Sequence, residues 1–291
     1  MSDNPAPPLQ IRLLGLPEVT MNGQPVSSLR RQVRLLLYFL ACQREPVRRA
    51  WLSDLFWPEK TDQAGREALR DALRRLRQAL PLPGLLNGAA DLVMLDHPDL
   101  YNDVRVFEDA YQSLSRRVGY LPLTEPLPAA IHQEILSAVT LWRSNELMLG
   151  VEVENSELIL WLSGERHRLA EQRALLLSRL ADHEMACGDL PAALVWLGIV
   201  AQIHEDDPEV NLRRMRCLEG LGRWGELMFL LDKVEAHYSG EMKGRMPPML
   251  AEYCQGVRQR ATPRSVERVV PRLERMINAP DMRFVGRQDI L

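Results

Sequence analysis

The run TDQAGREALRDALRRLRQAL, residues 61–80, decides how the chain is read. No proline interrupts it, and Thr61 or Asp62 offers an oxygen to cap the first turn, so it predicts a helix over 63–80 with a lone Gly65 near its start. At 100° per residue, Leu69, Leu73, Leu76 and Leu80 form one stripe, with Ala68, Ala72 and Ala79 beside it. Arg66, Arg70, Arg74 and Arg77 fall within an arc of about 80°. Arg75 lies elsewhere, and Glu67 and Asp71 occupy a third sector. One ridge is suited to a core; another gathers four like charges, which repel by a few tenths of a kcal/mol per pair. A solvated face would explain that stripe taken alone, so its neighbours decide the reading.

Upstream, Leu9, Ile11 and Leu13 alternate, and Asn22-Gly23 lies between two short β-prone runs. Both positions of such a turn need positive φ, so a small antiparallel sheet with a tight hairpin is expected. Val33, Leu36, Leu37, Leu40 and Ala41 then recur at helical spacing behind Ser27 or Ser28 as the cap, with an end near Cys42. A shorter helix carries Trp51, Leu52, Leu55 and Phe56 and is stopped by Pro58. Downstream, Asn87-Gly88 joins two more β-prone runs. A short helix, a proline-containing turn and a longer basic helix make a helix-turn-helix arrangement, and the second hairpin stands where a winged helix has its wing.

These residues carry a resemblance. The order of sheet, three helices and hairpin, with Arg74-Arg75-Leu76-Arg77 inside the third helix, resembles the OmpR/PhoB-type winged helix. The runs 34–40 (RLLLYFL), Pro46-Val47, Leu55-Phe56-Trp57-Pro58, Ala68-Leu69-Arg70 and 73–77 (LRRLR) resemble more specifically the N-terminal domain of the antibiotic regulatory protein (SARP) family, the AfsR-like regulators. The resemblance implies that the third helix reads a major groove, with Gln63, Arg66, Arg70, Arg74, Arg75 and Arg77 as DNA contacts. It also implies that the hairpin at Asn87 and Gly88 approaches the minor groove and that the loop Pro58, Glu59, Lys60 and Thr61 faces RNA polymerase.

Charge partition agrees with two parts meeting different partners. Residues 1–80 hold 13 Lys+Arg against 8 Asp+Glu, whereas residues 81–291 hold 23 against 31, so a net charge of -3 conceals a basic N-terminal piece. Arginine is used 33 times and lysine 3 times, which genome composition alone can produce. With 46% apolar and 26% charged residues the chain is neither disordered nor fibrous, and 291 residues favour two domains over one core. The longest stretch free of charge and strong polarity, Leu190 to Ala201, falls short of the roughly 20 residues a membrane span needs. No secretory signal opens the sequence. A cytoplasmic, nucleoid-associated protein without a membrane partner is expected.

After Asn102 the pattern turns helical: Val104, Phe107, Ala110, Tyr111 and Leu114; then Ile131, Ile135, Val139 and Trp142; then a long run with Leu158, Trp161, Leu162, His167, Leu169, Leu176 and Leu180. Gly188 and Gly222 stand 34 residues apart, and Leu194/Met228 and Leu197/Leu231 keep that offset, the tetratricopeptide (TPR) period of stacked helix pairs. Asp207-Pro208 falls where one unit turns to the next. The segments 103–108 (DVRVFE) and Trp142 to Gly150, with Trp161, Glu165-Arg166 and Leu169, resemble the bacterial transcriptional activator domain (BTAD) that follows the winged helix in this family.

No catalytic signature competes: there is no H-E-x-x-H and no G-x-x-x-x-G-K-[ST], and the six histidines are scattered. His167 and His183 read as satisfied structural histidines, Trp142, Trp161, Trp196 and Trp224 as packing, and Glu205-Asp-Asp207 as a solvated turn. Cys42, Cys187, Cys217 and Cys254 are far apart without a C-x-x-C pair, which favours buried free thiols over a disulfide or zinc framework. Neither cofactor nor metal is expected. At the C-terminus, Pro263 to Ala279 has the pattern of a basic linker helix, and Phe284-Val285-Gly286-Arg287 resembles the opening of the nucleotide-binding module of larger regulators in the family. The chain would then be an N-terminal fragment of a regulator with an ATPase domain.

The expected fold is mainly α with a small β component: a winged helix-turn-helix over 9–98, a TPR-like all-helical activator domain over 102–260, and a linker with the start of a truncated module over 261–291. The expected function is sequence-specific transcriptional activation from promoter direct repeats, as a homodimer on DNA touching the polymerase σ or α subunit. The alternative is a TPR-like regulatory scaffold that binds a protein or ligand and has little DNA binding of its own.

Overall fold

The computed structural model describes residues 7–88, 91–239 and 246–261. The expectations for the linker and truncated module over 262–291 lie outside the described residues. By contacts the chain divides into two compact units, 1–203 and 204–291.

In the first unit, strand β1 (Leu9–Arg12) pairs antiparallel with β2 (Glu18–Met21), which pairs with β3 (Gln24–Pro25). Asn22 and Gly23 both take positive φ, 51° and 77°, so the predicted tight hairpin forms. Alternation in β1 sends Leu9 and Ile11 inward. On its other edge β1 pairs parallel with β7 (Leu100–Asn102), giving the order β3-β2-β1-β7. A second small sheet has the order β4-β6-β5, from Val47–Arg48, Leu92–Leu95 and Leu86–Asn87.

Helix α1 (Arg31–Cys42) ends where the sequence placed its end but begins three residues beyond Ser28. Leu29 is buried in the core ahead of the helix, and Arg30, extended and with no side-chain cap bond, becomes the N-cap. Helix α2 (Arg49–Phe56) and helix α3 (Asp62–Ala79) follow as expected. Phe39 is fully buried against Phe56 edge-on at 5.7 Å and against Trp161 at 4.6 Å, so the α1–α2 core and the long helix share one aromatic cluster.

Helix α4 (Asp103–Val118) is capped by Asn102, whose oxygen accepts from Val104 N and Arg105 N while its amide donates to Ala41 O at 2.8 Å. The Asp103 carboxylate accepts from Leu13 N at 2.7 Å and Leu14 N at 3.1 Å and so pins the end of β1. Burial raises the Asp103 carboxyl pKa, against the pull of those two backbone bonds. Helix α5 (Ala129–Val139), the 32-residue helix α6 (Ser156–Cys187) and α7 (Leu190–Ile203) complete the unit. Segment 142–150 is strapped down from both sides: Arg143 N and Met148 N donate to Leu14 O and Leu13 O, and Arg166 donates to Leu147 O and Met148 O at 3.0 Å each.

In the second unit, α8 (Pro208–Gly220) begins behind Asp207, whose carboxylate caps Glu209 N and Val210 N. Glu205 pairs with Lys233 and Asp206 with His237, on α9 (Trp224–Ser239). A further helix, α10, spans 248–261. Gly188 and Gly222, the two glycines 34 residues apart, both adopt left-handed φ, 82° and 67°, and each lies in the turn of a helix pair. The repeat read from spacing therefore exists as two α-hairpins. The fold is mainly α with a small β component, and no described helix is long and apolar enough to cross a membrane.

Candidate nucleic-acid interface

Helix α3 owes its position to its apolar stripe. Leu69, Leu73, Leu76 and Leu80 are at most 2% exposed, and Thr61 caps the first turn from Ala64 N. Gly65 is buried where α3 meets α2; a Cβ there would meet Ser53 Oγ, so a larger residue would require the Ser53 hydroxyl to turn away. With that face locked inward, Arg66, Arg70, Arg74 and Arg77 are all exposed along the opposite side.

The four are not equivalent. Asp71 accepts from Arg74 Nη2 at 2.5 Å and from Arg75 Nε at 2.7 Å, and Arg74 also reaches Gln78. The bonds from Arg75 and Arg74 hold the Asp71 carboxyl below the usual carboxylate pKa. Among the described residues the side chains of Arg66, Arg70 and Arg77 make no ion pair or hydrogen bond. Arg75 is half-buried and turned toward α1, where it lines a cleft with Ser28, Leu29, Arg30 and Val33. Gln63 is exposed and donates to Glu67 at 3.4 Å. Sequence reading missed the Asp71 clamp, although its i,i+3 and i,i+4 spacing to Arg74 and Arg75 was a signal for it.

The hairpin β5–β6 forms with Leu86 opposite Leu95 and Asn87 opposite Met94. Asn87 is a strand residue here, and its amide donates to Asp96 O at 3.1 Å. Gly88 has φ 137°, and a Cβ on it would strike the Leu92 carbonyl, so this close crossing requires glycine. Pro58, Glu59, Lys60 and Thr61 form an exposed turn between α2 and α3, closed by Lys60 N donating to Trp57 O at 3.1 Å.

No family model and no curated protein matches the chain. Among solved structures, Mycobacterium tuberculosis EmbR in complex with a low-affinity phosphopeptide matches with a TM-score of 0.65 at 18% identity, over 87% of this chain and 65% of that one. The chain shares the fold of EmbR. At that identity the likeness is one of architecture, and it spans less than two thirds of the EmbR chain. An EmbR-like fold fits the winged helix and the helical part that the resemblance to SARP-type regulators led us to expect.

Away from α3, Glu108 and His183 are held by structural bonds. Glu108, 7% exposed, accepts from Arg44 at 2.9 Å and Arg168 at 2.6 Å. His183 Nδ1 accepts from Leu127 N at 2.9 Å. His167, expected as a satisfied structural histidine, is instead 78% exposed beside Glu171. Three of the cysteines are buried as expected, but Cys187 is exposed at the end of α6, where the chain turns out of the helix.

Proposed function

We propose that the chain is a sequence-specific DNA-binding transcriptional regulator of the SARP kind, with a winged helix over 9–98 and an activator domain over 102–260. The observation that carries this reading is the outer ridge of α3, where Arg66, Arg70 and Arg77 are exposed and without ionic partners beside the clamped Arg74. A guanidinium fork bonds two acceptors of a guanine edge or a phosphate, so such a ridge suits a major groove. On this reading Gln63 and Arg75 flank the groove-facing residues, Asn87 and Gly88 bring the hairpin to the minor groove, and residues 58–61 face the σ or α subunit of RNA polymerase. Two copies bind direct repeats at a promoter and activate transcription.

The test is a binding-site selection with the full chain on genomic fragments, followed by footprinting. Enrichment of one repeated motif, with protection spaced by about one helical turn, is expected. Recovery of fragments without a shared motif would overturn sequence-specific recognition.

A further inference from the structure

We propose that His132, His183, Glu184 and Cys187 form a binding site for a borderline-soft divalent cation, zinc in the first place, and that binding there releases the Leu127 anchor of the α4–α5 loop.

The four residues are brought together by the packing of α5 on α6. The imidazoles of His132 and His183 lie 4.2 Å apart, ring centre to ring centre. His132 Nε2 is 3.6 Å from Glu184 Oε1, and His183 Nε2 is 3.8 Å from Cys187 Sγ. Donor atoms of His132, His183 and Glu184 all lie within 4.8 Å of one another. Around a tetrahedral zinc, bonds of about 2.0 to 2.3 Å set neighbouring donors about 3.3 to 3.7 Å apart. These separations of 3.6 and 3.8 Å are therefore already near those of a coordinated ion. Two nitrogens, a carboxylate and a thiol make a donor set for zinc rather than for magnesium or calcium, which take oxygen.

Three further observations favour a cation at this place. His132 Nε2 is shielded from solvent and makes no hydrogen bond, an arrangement that buried polar atoms avoid. Cys187 is the exposed cysteine, while Cys42, Cys217 and Cys254 are buried. Cys187 is also the last residue of α6, where the partial negative charge of the helix end favours a cation.

Coordination has a structural consequence. His183 Nδ1 now accepts from Leu127 N, so in the neutral ring the proton sits on Nε2. A metal on Nε2 moves that proton to Nδ1, which then faces Leu127 N donor to donor. The Leu127 bond is lost, and the near-parallel rings, tilted by 31°, turn so that their lone pairs converge. The Cys187 thiol gives its proton to solvent, one proton per ion bound. The site thus has two states, one with Leu127 held and one with the ion held.

The experiment titrates the chelator-treated full chain with Co2+ and Zn2+, following absorbance, heat and Leu127 amide exchange. One ion per chain is expected, with a thiolate-to-cobalt charge-transfer band that zinc abolishes by displacement. Cys187→Ser should remove that band, and His132→Ala and His183→Ala should each weaken binding tenfold or more while far-UV circular dichroism stays unchanged. Exchange at Leu127 should quicken with zinc. Absence of the cobalt band, or affinity that survives all three substitutions, would overturn the site. Binding that leaves Leu127 exchange unaltered would overturn the coupled release. Should a single variant lose its helical signal, the charge-transfer band of the unmodified chain decides the matter.

Discussion

Arginines on two helices of the first unit show how one side chain serves two ends. On α6, Arg166 clasps the carbonyls of Leu147 and Met148, Arg168 bonds Glu108 and Glu165, and Arg179 donates to Leu121 O and Pro122 O. Arg173 lies 4.8 Å over the Trp142 ring and donates to Ser144 O, and burial lowers its pKa to about 10. On α3, Arg66, Arg70 and Arg77 stand in solvent. Burial and partner count separate them: the α6 arginines replace water by protein acceptors and tie segments together, whereas those on α3 keep their donors for something outside the chain. A helix can carry several cations in either case, so the charge stripe alone does not distinguish the two uses.

The largest effect expected from perturbing this contrast is on the buried side. Glu108→Ala would take from Arg44 and Arg168 their shared carboxylate, and a loss of about 2 kcal/mol is expected in urea unfolding. That is below the cost of stranding a buried charge, because Arg44 keeps Asp109, Arg168 keeps Glu165, and both arginines retain about two fifths of their side-chain exposure. A change below about 0.5 kcal/mol would mean that the carboxylate is not structural. Next come Arg66→Ala, Arg70→Ala and Arg77→Ala, each expected to cost about 1 to 3 kcal/mol in binding to the selected duplex where the contact is to a base, with urea midpoints unmoved. Asp71→Asn should act in the opposite sense. It frees Arg74 and removes an anion near the phosphates, so affinity should rise and the salt slope should steepen by about 0.9 if Arg74 takes up a phosphate.

The smallest effect is a titration. Because the Asp71 pKa is depressed by its bonds from Arg75 and Arg74, its contribution to stability is present above the ordinary carboxylate pKa and fades as pH falls through the lowered value. Carboxyl NMR should place Asp71 below its usual pKa, returning toward it in Arg75→Ala.

The order of elements around α3 was legible because each rests on local rules. Leucines at helical spacing, Pro58 after Phe56 and Asn22-Gly23 all act within a few residues. The 34-residue offset of Gly188 and Gly222 was legible for a similar reason, since both positions need a left-handed turn. What escaped depends on distant chain segments. The parallel pairing of β1 with β7 joins Leu9 to Leu100, and Asp103 reaches back to Leu13. The start of α1 was misplaced because Leu29 buries itself before the helix can begin. His132 and His183 are about fifty residues apart in sequence, and only the packing of α5 on α6 stacks their rings. At the candidate interface the arginine stripe was legible, while the distinct state of Arg74 depends on which neighbour Asp71 chooses.

The most direct test of the central claim is the salt dependence of duplex binding by the full chain beside its Arg66→Ala, Arg70→Ala, Arg77→Ala triple variant. The account predicts a steep fall in affinity with salt for the unmodified chain, and for the variant weaker binding with a slope shallower by about 0.9 for each phosphate that an arginine no longer neutralises. Identical affinities and slopes for the two proteins would contradict it.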